Sequence, residues 1–437
     1  MCAAASGSPR ARYADAIAYL YGLQGRGMRF ELDRLRAALV LRGHPERGQR
    51  FVHVTGTNGK GSVSAMIASA LSACGLRTGL YTSPHLHRFV ERIRIDGRPV
   101  AEALVGRRVA RLVAELARTG APELSFFETA TILAFEIFRD LHCDVAVLEV
   151  GLGGRLDATN VVVPELSVIT RIALEHTGIL GPTVSAIAGE KAGIIKHGVP
   201  FVTSARDPEA RAVIREHARR RRARGWWIDR DYSYATQRGG RLVDVVVRGR
   251  RFDGLRLGLR GLYQQENAAC AVAALVALRE RGLVIPDAAI AKGLRTVRWP
   301  GRLERIATRP RVLVDAAHNP DGCVALASEL ARGPRPSPRV LLFGAMGDKD
   351  HRAMLAAFDG LVDRYVFTTP SMRRAADARD LRRIRRGRVV PRVPAALRHA
   401  LRVTGEDGEL VIAGSIFLIA EARAALLDLR TEPLIAM

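Results

Sequence analysis

Lysine is almost missing from this chain. Of 68 basic residues only five are Lys (Lys60, Lys191, Lys196, Lys292 and Lys349), and the rest are Arg. So lopsided a choice points to genome composition rather than to a nucleic-acid footprint. Cysteine is scarce too. Cys2, Cys74, Cys143, Cys270 and Cys323 are odd in number, scattered, and never spaced C-x-x-C. That argues against a disulfide framework and against a Cys-type zinc site. Long apolar runs are also lacking. The longest, Ala268 to Leu278, falls far short of the ~20 residues a membrane span needs. The amino terminus has no basic start followed by an apolar signal core. A cytoplasmic protein with no membrane partner is expected.

What is present reads as ordinary globular chain. The 437 residues are 48% hydrophobic and 26% charged, which excludes global disorder, collagen and coiled coil. That length corresponds to roughly two or three domains. The net charge is +24, with local Arg clusters at 219–224 and 382–388. Neither cluster is interleaved with stacking aromatics, so both read as solvated helix surface. The field suits a small anionic substrate and ATP.

Strand-like runs alternate with helical patterns: 51–55, 61–73, 76–81, 101–118, 126–140, 144–150 and 166–170. This alternation is the signature of a parallel α/β sheet with helices on its faces. Residues 226–260 break the rhythm and read as a short antiparallel excursion, followed by a helix at 264–282. After the turn chemistry of Trp299-Pro300-Gly301 a second βα series begins, with strands at 311–317, 339–346, 363–369 and 408–415. The expected domains are therefore 1–298 and 299–437.

HVTGTNGKGS (53–62) carries the strongest local signal. An apolar strand runs into a glycine-rich turn, and Lys-Gly-Ser opens a helix. Gly56, Gly59 and Gly61 let backbone N–H groups approach phosphate oxygens, and the helix N-terminus favours negative charge. Lys60 supplies a point charge for the β/γ-phosphates, and Ser62 or Thr57 can reach Mg²⁺ or a phosphate oxygen. The spacing departs from G-x-x-x-x-G-K-[ST], because Val54 stands at the first Gly position. A plain strand–helix turn is the competing reading.

Glu149 closes the apolar run in DVAVLEVGLGGRLDATN (144–160). In an open α/β sheet that end faces the ligand crevice, where a carboxylate can hold Mg²⁺. An ordinary strand end would leave a costly buried carboxylate. His176 and Lys191, taken alone, read as structural or solvated residues. TSPHLHRFVERIRIDG (82–97) reads as a polar loop leading into a half-exposed strand. Asp315, His318 and GDKD (347–350) also follow strands. For Asp315 and Asn319, helix capping is an even alternative.

In this order the motifs resemble the folylpolyglutamate synthase / dihydrofolate synthase family of the Mur ligase superfamily. The resemblance runs through GTNGKGS, YTSPHL, ERIRI, FFETAT, EVGLGGRLDATN, GEKAGI, GLYQQENA, WPGRLE and DAAHNP. The stretch FELDRLRAAL (30–39) resembles the family's amino-terminal helix. The resemblance implies a larger P-loop ATPase-type parallel sheet with helices on both faces, which binds ATP and folate. It implies a smaller, Rossmann-like carboxyl-terminal domain that closes over glutamate. The reaction implied is ATP-dependent amide ligation through an acyl phosphate, on dihydropteroate, on reduced folates, or on both.

By residue match, Gly56, Thr57, Asn58, Gly59, Lys60, Gly61 and Ser62 would hold ATP phosphates, with Asn267, Arg302 and Asp315 contacting ATP from the other side. Ser83 and Glu149 would bind one Mg²⁺; His176 and an N-carboxylated Lys191 would take part in a second. Ser125, Phe126, Phe127 and Glu128, with Leu156, Asp157 and Ala158, fall where relatives hold dihydropteroate. Phe126 and Phe127 would form a wall for a pterin ring, unless their helix packs both inward. His318 and Ser415 fall where the family handles glutamate. A monomer that binds no nucleic acid is expected. Two other classes compete: a muropeptide-type Mur ligase, for which the 50 residues before Phe51 are too few to form a nucleotide-sugar domain, and a basic nucleic-acid-binding NTPase, for which no separate basic domain is visible.

Overall fold

The computed structural model describes residues 9–26, 31–119, 123–237 and 241–432. Cys2 and Phe30 lie outside the described residues. Eight strands build the larger sheet: β1 Phe51–Thr55, β2 Thr78–Tyr81, β3 Ile93–Ile95, β4 Arg98–Pro99, β5 Val145–Glu149, β6 Leu166–Ile169, β7 Phe201–Thr203 and β8 Gly225–Trp227. Their order is β4-β3-β2-β5-β1-β6-β7-β8. Neighbours from β2 to β8 run parallel, whereas β3 and β4 add an antiparallel edge. The sheet is thus mixed, not wholly parallel.

Strand periodicity places the core. Val52, Val54, Val145 and Val147 face one layer, against helices Lys60–Ala73 and Tyr263–Glu280. Phe51, Ala146 and Leu148 face the other, against helix Phe126–Asp140. Coverage on both faces explains why these strands are apolar throughout. A three-stranded antiparallel sheet, β9 Tyr232–Thr236, β10 Leu242–Val247 and β11 Arg250–Arg256, joins the first core layer.

The remaining strands form a six-stranded sheet: β12 Glu304–Thr308, β13 Arg311–Val314, β14 Arg339–Phe343, β15 Arg364–Thr369, β16 Arg388–Arg392 and β17 Glu409–Ala413. The order is β12-β13-β17-β14-β15-β16, with only β12 antiparallel. At its bottom the Arg339 guanidinium, 1% exposed, donates to Glu409 at 2.5 Å. No helix among the described residues is long and apolar enough to cross a membrane.

Three local expectations change. The antiparallel excursion starts at Tyr232, because Gly225–Trp227 pairs with β7 and Trp227 packs edge-on to Phe201, with centroids 5.6 Å apart. Glu91 and Arg92 belong to a short 3₁₀ turn, not to a strand. There the Glu91 carboxylate accepts the backbone N–H groups of Leu86, His87 and Arg88 at 3.0–3.1 Å and curls the chain. Neither Arg-rich segment is helix throughout: 219–224 leaves its helix after Arg220, and 382–388 is a helix only as far as Ile384, after which the chain enters the sheet-edge strand β16.

Candidate active site

The loop after β1 runs over a crowded floor. A Cβ on Gly56 would lie 1.8 Å from Thr170 Oγ1, and one on Gly59 would lie 2.4 Å from Asn267 Oδ1. Both glycines have positive φ, 149° and 93°, so only Gly fits without strain. The Gly59 approach puts Asn267, from the start of helix Tyr263–Glu280, against the loop. Gln264 ties the same helix to Ser62 Oγ at 3.2 Å. Thr57 Oγ1 donates to Ala173 O at 3.0 Å and accepts from Ala173 N at 3.1 Å, so it braces the loop. The N-terminal amides of helix Lys60–Ala73 are left for an anion.

Two lysines converge here. Lys60 Nζ donates to Gly56 O at 2.8 Å and to Thr57 O at 3.0 Å. Lys191 Nζ, 3% exposed, donates to the same Gly56 O at 2.8 Å. Burial, then the Lys60 charge, pulls the Lys191 amine down to about 7. Among the described residues, Glu149 Oε2 accepts only the Ser83 N–H, at 3.2 Å. Burial pushes its carboxyl up to about 7, with Lys60 opposing. Ser83 Oγ is buried without a hydrogen-bond partner among the described residues. An under-bonded carboxylate beside an orphaned hydroxyl fits a hard cation. Mg²⁺ takes one or two protein carboxylates and fills the rest of its shell with water and phosphate oxygens. The described residues hold no cluster of three His, Cys, Asp or Glu side chains.

Across the cleft, the six-stranded sheet presents the loop after β13. Glu175, 8% exposed, accepts from His318 Nε2 at 2.7 Å and from Asn319 Nδ2 at 3.1 Å. The other His318 ring nitrogen faces Ala316 O at 2.8 Å. Burial pushes the Glu175 carboxyl up, but His318, with Lys60 and His176, outweighs it and holds the group well below the usual carboxylate range. His176 Nε2 stands 3.9 Å from Glu175 Oε1, and burial lowers its ring to about 4. It therefore offers a neutral nitrogen. Asn58 Nδ2 donates to Asp321 Oδ2 at 2.8 Å, and Arg171 pairs with the same Asp321 at 2.7 Å. Asp315 accepts from Tyr263 OH at 2.6 Å, from Leu303 N at 2.7 Å and from Ala317 N at 2.8 Å. Arg302 shares a small cavity with Gly61, Ser83 and Glu149. Ser415 Oγ caps the helix Ile416–Leu427, accepting from Phe417 N at 3.1 Å. Sequence reasoning gave no role to Glu175 or Asp321 and offered Asn319 only as a helix cap, which it is: its Oδ1 accepts from Gly322 N at 2.8 Å. The DAAHNP motif flagged their neighbourhood, but the pairing partners lie more than a hundred residues away.

The two candidate pterin segments do meet. A Cβ on Gly151 would touch Phe127 Cζ at 2.7 Å and Asp157 Oδ2 at 3.3 Å. Phe127 is half-buried, its ring 6.0 Å from Tyr81. Phe126 instead points into the core, beneath Arg92 and beside Phe89. Only one ring of the expected wall therefore faces the loop. Ser125 and Glu128 cap each other at the helix start, at 3.3 and 2.7 Å. Glu128 Oε1 remains buried without a partner. The Asp157 carboxylate accepts from Gly151 N, Leu152 N, Thr159 N and Thr159 Oγ1. It organises its own loop, and a ligand donor would have to share those oxygens. Leu156 is half-buried and Ala158 buried.

A phosphate loop on one sheet, faced by the amino ends of helices from a second, defines a Mur-type ATP-dependent ligase. A family model for the Mur ligase middle domain matches residues 54–275, and one for the Mur ligase glutamate ligase domain matches residues 301–416. The chain is 36% identical over 427 residues to a folylpolyglutamate synthase of Lacticaseibacillus casei, covering 95% of this chain and 99% of that one. It is 36% identical over 378 residues to a dihydrofolate synthase/folylpolyglutamate synthase of Bacillus subtilis, covering 84% and 88%. E. coli FolC, solved in complex with DHPP and ADP, superposes with a TM-score of 0.88 at 30% identity, covering 96% and 99%. The chain belongs to the folylpolyglutamate synthase / dihydrofolate synthase family of the Mur ligase superfamily. It is an ATP-dependent ligase of folate biosynthesis.

Proposed function

We propose that this ligase joins L-glutamate both to dihydropteroate and to reduced folate (poly)glutamates. The observation that carries the reading is the adjacency of two sites. Lys60, Lys191 and Glu149 gather at the phosphate loop, and the Phe127–Gly151–Asp157 contact lies at the same carboxyl end of the sheet, directly after Glu149. A substrate whose pterin ring rests against Phe127 would carry its carboxylate, at the far benzoyl or glutamyl end, toward the phosphate loop.

The substrate carboxylate attacks the γ-phosphorus of ATP. An acyl phosphate forms and ADP leaves. The neutral glutamate amine then attacks the acyl carbon, phosphate departs with the C–O bond electrons, and the amine proton passes to solvent or a nearby base. Lys60 is positioned to exchange its carbonyl acceptors for phosphate oxygens as charge builds there. Mg²⁺, when bound by Ser83 and Glu149, would neutralise phosphate charge. Neutral His176 and a carboxylated Lys191 would serve a second ion. Lys191 suits carboxylation because at neutral pH much of its amine is unprotonated. A neutral amine adds to CO₂, loses a proton, and becomes an oxygen-donor anion. His318 and Ser415 would meet the glutamate, and closure over them keeps water from the acyl phosphate.

The test offers ATP, Mg²⁺ and glutamate with dihydropteroate or tetrahydrofolate separately, and reads products by mass. Product from both substrates supports the reading. Product from tetrahydrofolate alone makes this a folylpolyglutamate synthase only, the single activity in the name of the L. casei relative.

A further inference from the structure

A groove of about 880 Å³ opens beside the nucleotide contacts, between β11, the turn at Trp299–Arg302 and β13. Ten arginines line it against three glutamates. Those glutamates are already engaged. Glu304 pairs with Arg423, Glu409 with Arg339 and Arg311, and Glu329 accepts the Leu262 N–H. Arg241, Arg256, Arg260, Arg295 and Arg305 have no carboxylate partner among the described residues, while Arg332 acts on Glu329. They come from different elements yet feel one another. Burial lowers the Arg260 guanidinium, and the charges of Arg305, Arg241 and Arg311 lower it further. Arg260, Arg305 and Arg241 thus share one mouth with no carboxylate at ion-pair distance among the described residues, and Arg311 beside them is tied to Glu409. The groove adjoins the small cavity at Gly61 and Glu149, and Trp299, Pro300 and Arg302 line both.

We propose that this groove is a cationic vestibule that captures the nucleoside triphosphate before it reaches the phosphate loop. The proposal rests on the family's use of ATP at that loop. Exposed arginines with no fixed geometry are poor grips but effective steering charges, and a cleft with low-dielectric walls focuses their field. The effect belongs to association rate and to salt dependence, not to the chemical step.

The test is stopped-flow association of a fluorescent ATP analogue with the full chain at low and high salt. The double variant Arg260→Glu/Arg305→Glu lowers the vestibule charge by four units at its mouth. Arg382→Glu/Arg386→Glu makes the same change in net charge at an exposed site near the edge strand β16. The vestibule variant is expected to associate roughly ten-fold more slowly at low salt, to lose most of the salt slope, and to keep kcat at saturating ATP. The remote variant is expected to change association by less than two-fold. Equal slowing in both variants would assign steering to net charge alone and overturn the vestibule. Unchanged association in the Arg260/Arg305 variant would overturn it too. Failure of the wild-type protein to bind the analogue at all would instead defeat the ATP reading on which the proposal rests.

Discussion

Replacing Glu149 by Gln should stabilise the ligand-free protein while destroying its activity. Burial pushes the Glu149 carboxyl up to about 7, from an ordinary 4.5. In the unfolded chain the proton leaves near 4.5, so the folded state holds the extra proton between those values. The stability this contributes is complete below 4.5 and is lost as pH rises through 7. The shift corresponds to about 3 kcal/mol at 1.36 kcal/mol per unit. Gln is a neutral shape mimic and loses nothing with pH. In metal-free buffer the gain of Glu149→Gln over wild type should therefore be about 1 kcal/mol at pH 5.5 and about 3 kcal/mol at pH 8. For a chain of this length the latter is roughly 3–4 °C in Tm. Added Mg²⁺ and nucleotide should reverse the order, because only the carboxylate meets the cation. Thermal melts with EDTA across that pH range are the assay. A gap between the two proteins that stays constant from pH 5.5 to 8 would refute the claim that an uncompensated carboxylate is buried here.

Lys60→Ala should lower turnover by roughly 10²–10³-fold with an unchanged far-UV circular dichroism spectrum; near-normal turnover would remove Lys60 from the phosphoryl-transfer step. Lys191→Ala should be nearly inactive and recover in part with added acetate, and wild-type activity should fall on bicarbonate depletion. A crystal structure with metal bound that shows an unmodified, ordered Lys191 amine turned away from it would reject carboxylation. Asp157→Ala releases four donors, and dihydropteroate use should fall far more than nucleotide binding; equal losses would mean that the loop has collapsed. Arg339→Leu strips Glu409 of its buried partner and should cost about 3–5 kcal/mol; a melt within a degree of wild type would show that Arg311 alone satisfies Glu409.

Much of the site was legible along the chain. The phosphate loop is local: one strand, glycines where the backbone must turn, one Lys, and a helix start. Glu149 could be read because a carboxylate that ends a buried apolar strand is costly unless a cation or a donor meets it. The pterin segments could be located but not oriented. Phe126 and Phe127 are adjacent and alike, and only the helix register against Phe89 and Arg92 decides which enters the core.

The sequence by itself determined the alternation of strands and helices, the loop that turns at Gly56 and Gly59, and the family to which the chain belongs. These are properties of neighbouring residues, set by backbone sterics and by hydrophobic period. Tertiary structure alone decided what Lys191 and Glu175 are. Each is an ordinary charged residue until the fold brings it to a partner, Gly56 O across 135 residues and His318 across 143. A charge acquires its protonation state from the water it loses and the charges it gains. Both are supplied by packing between distant segments, which no local pattern records.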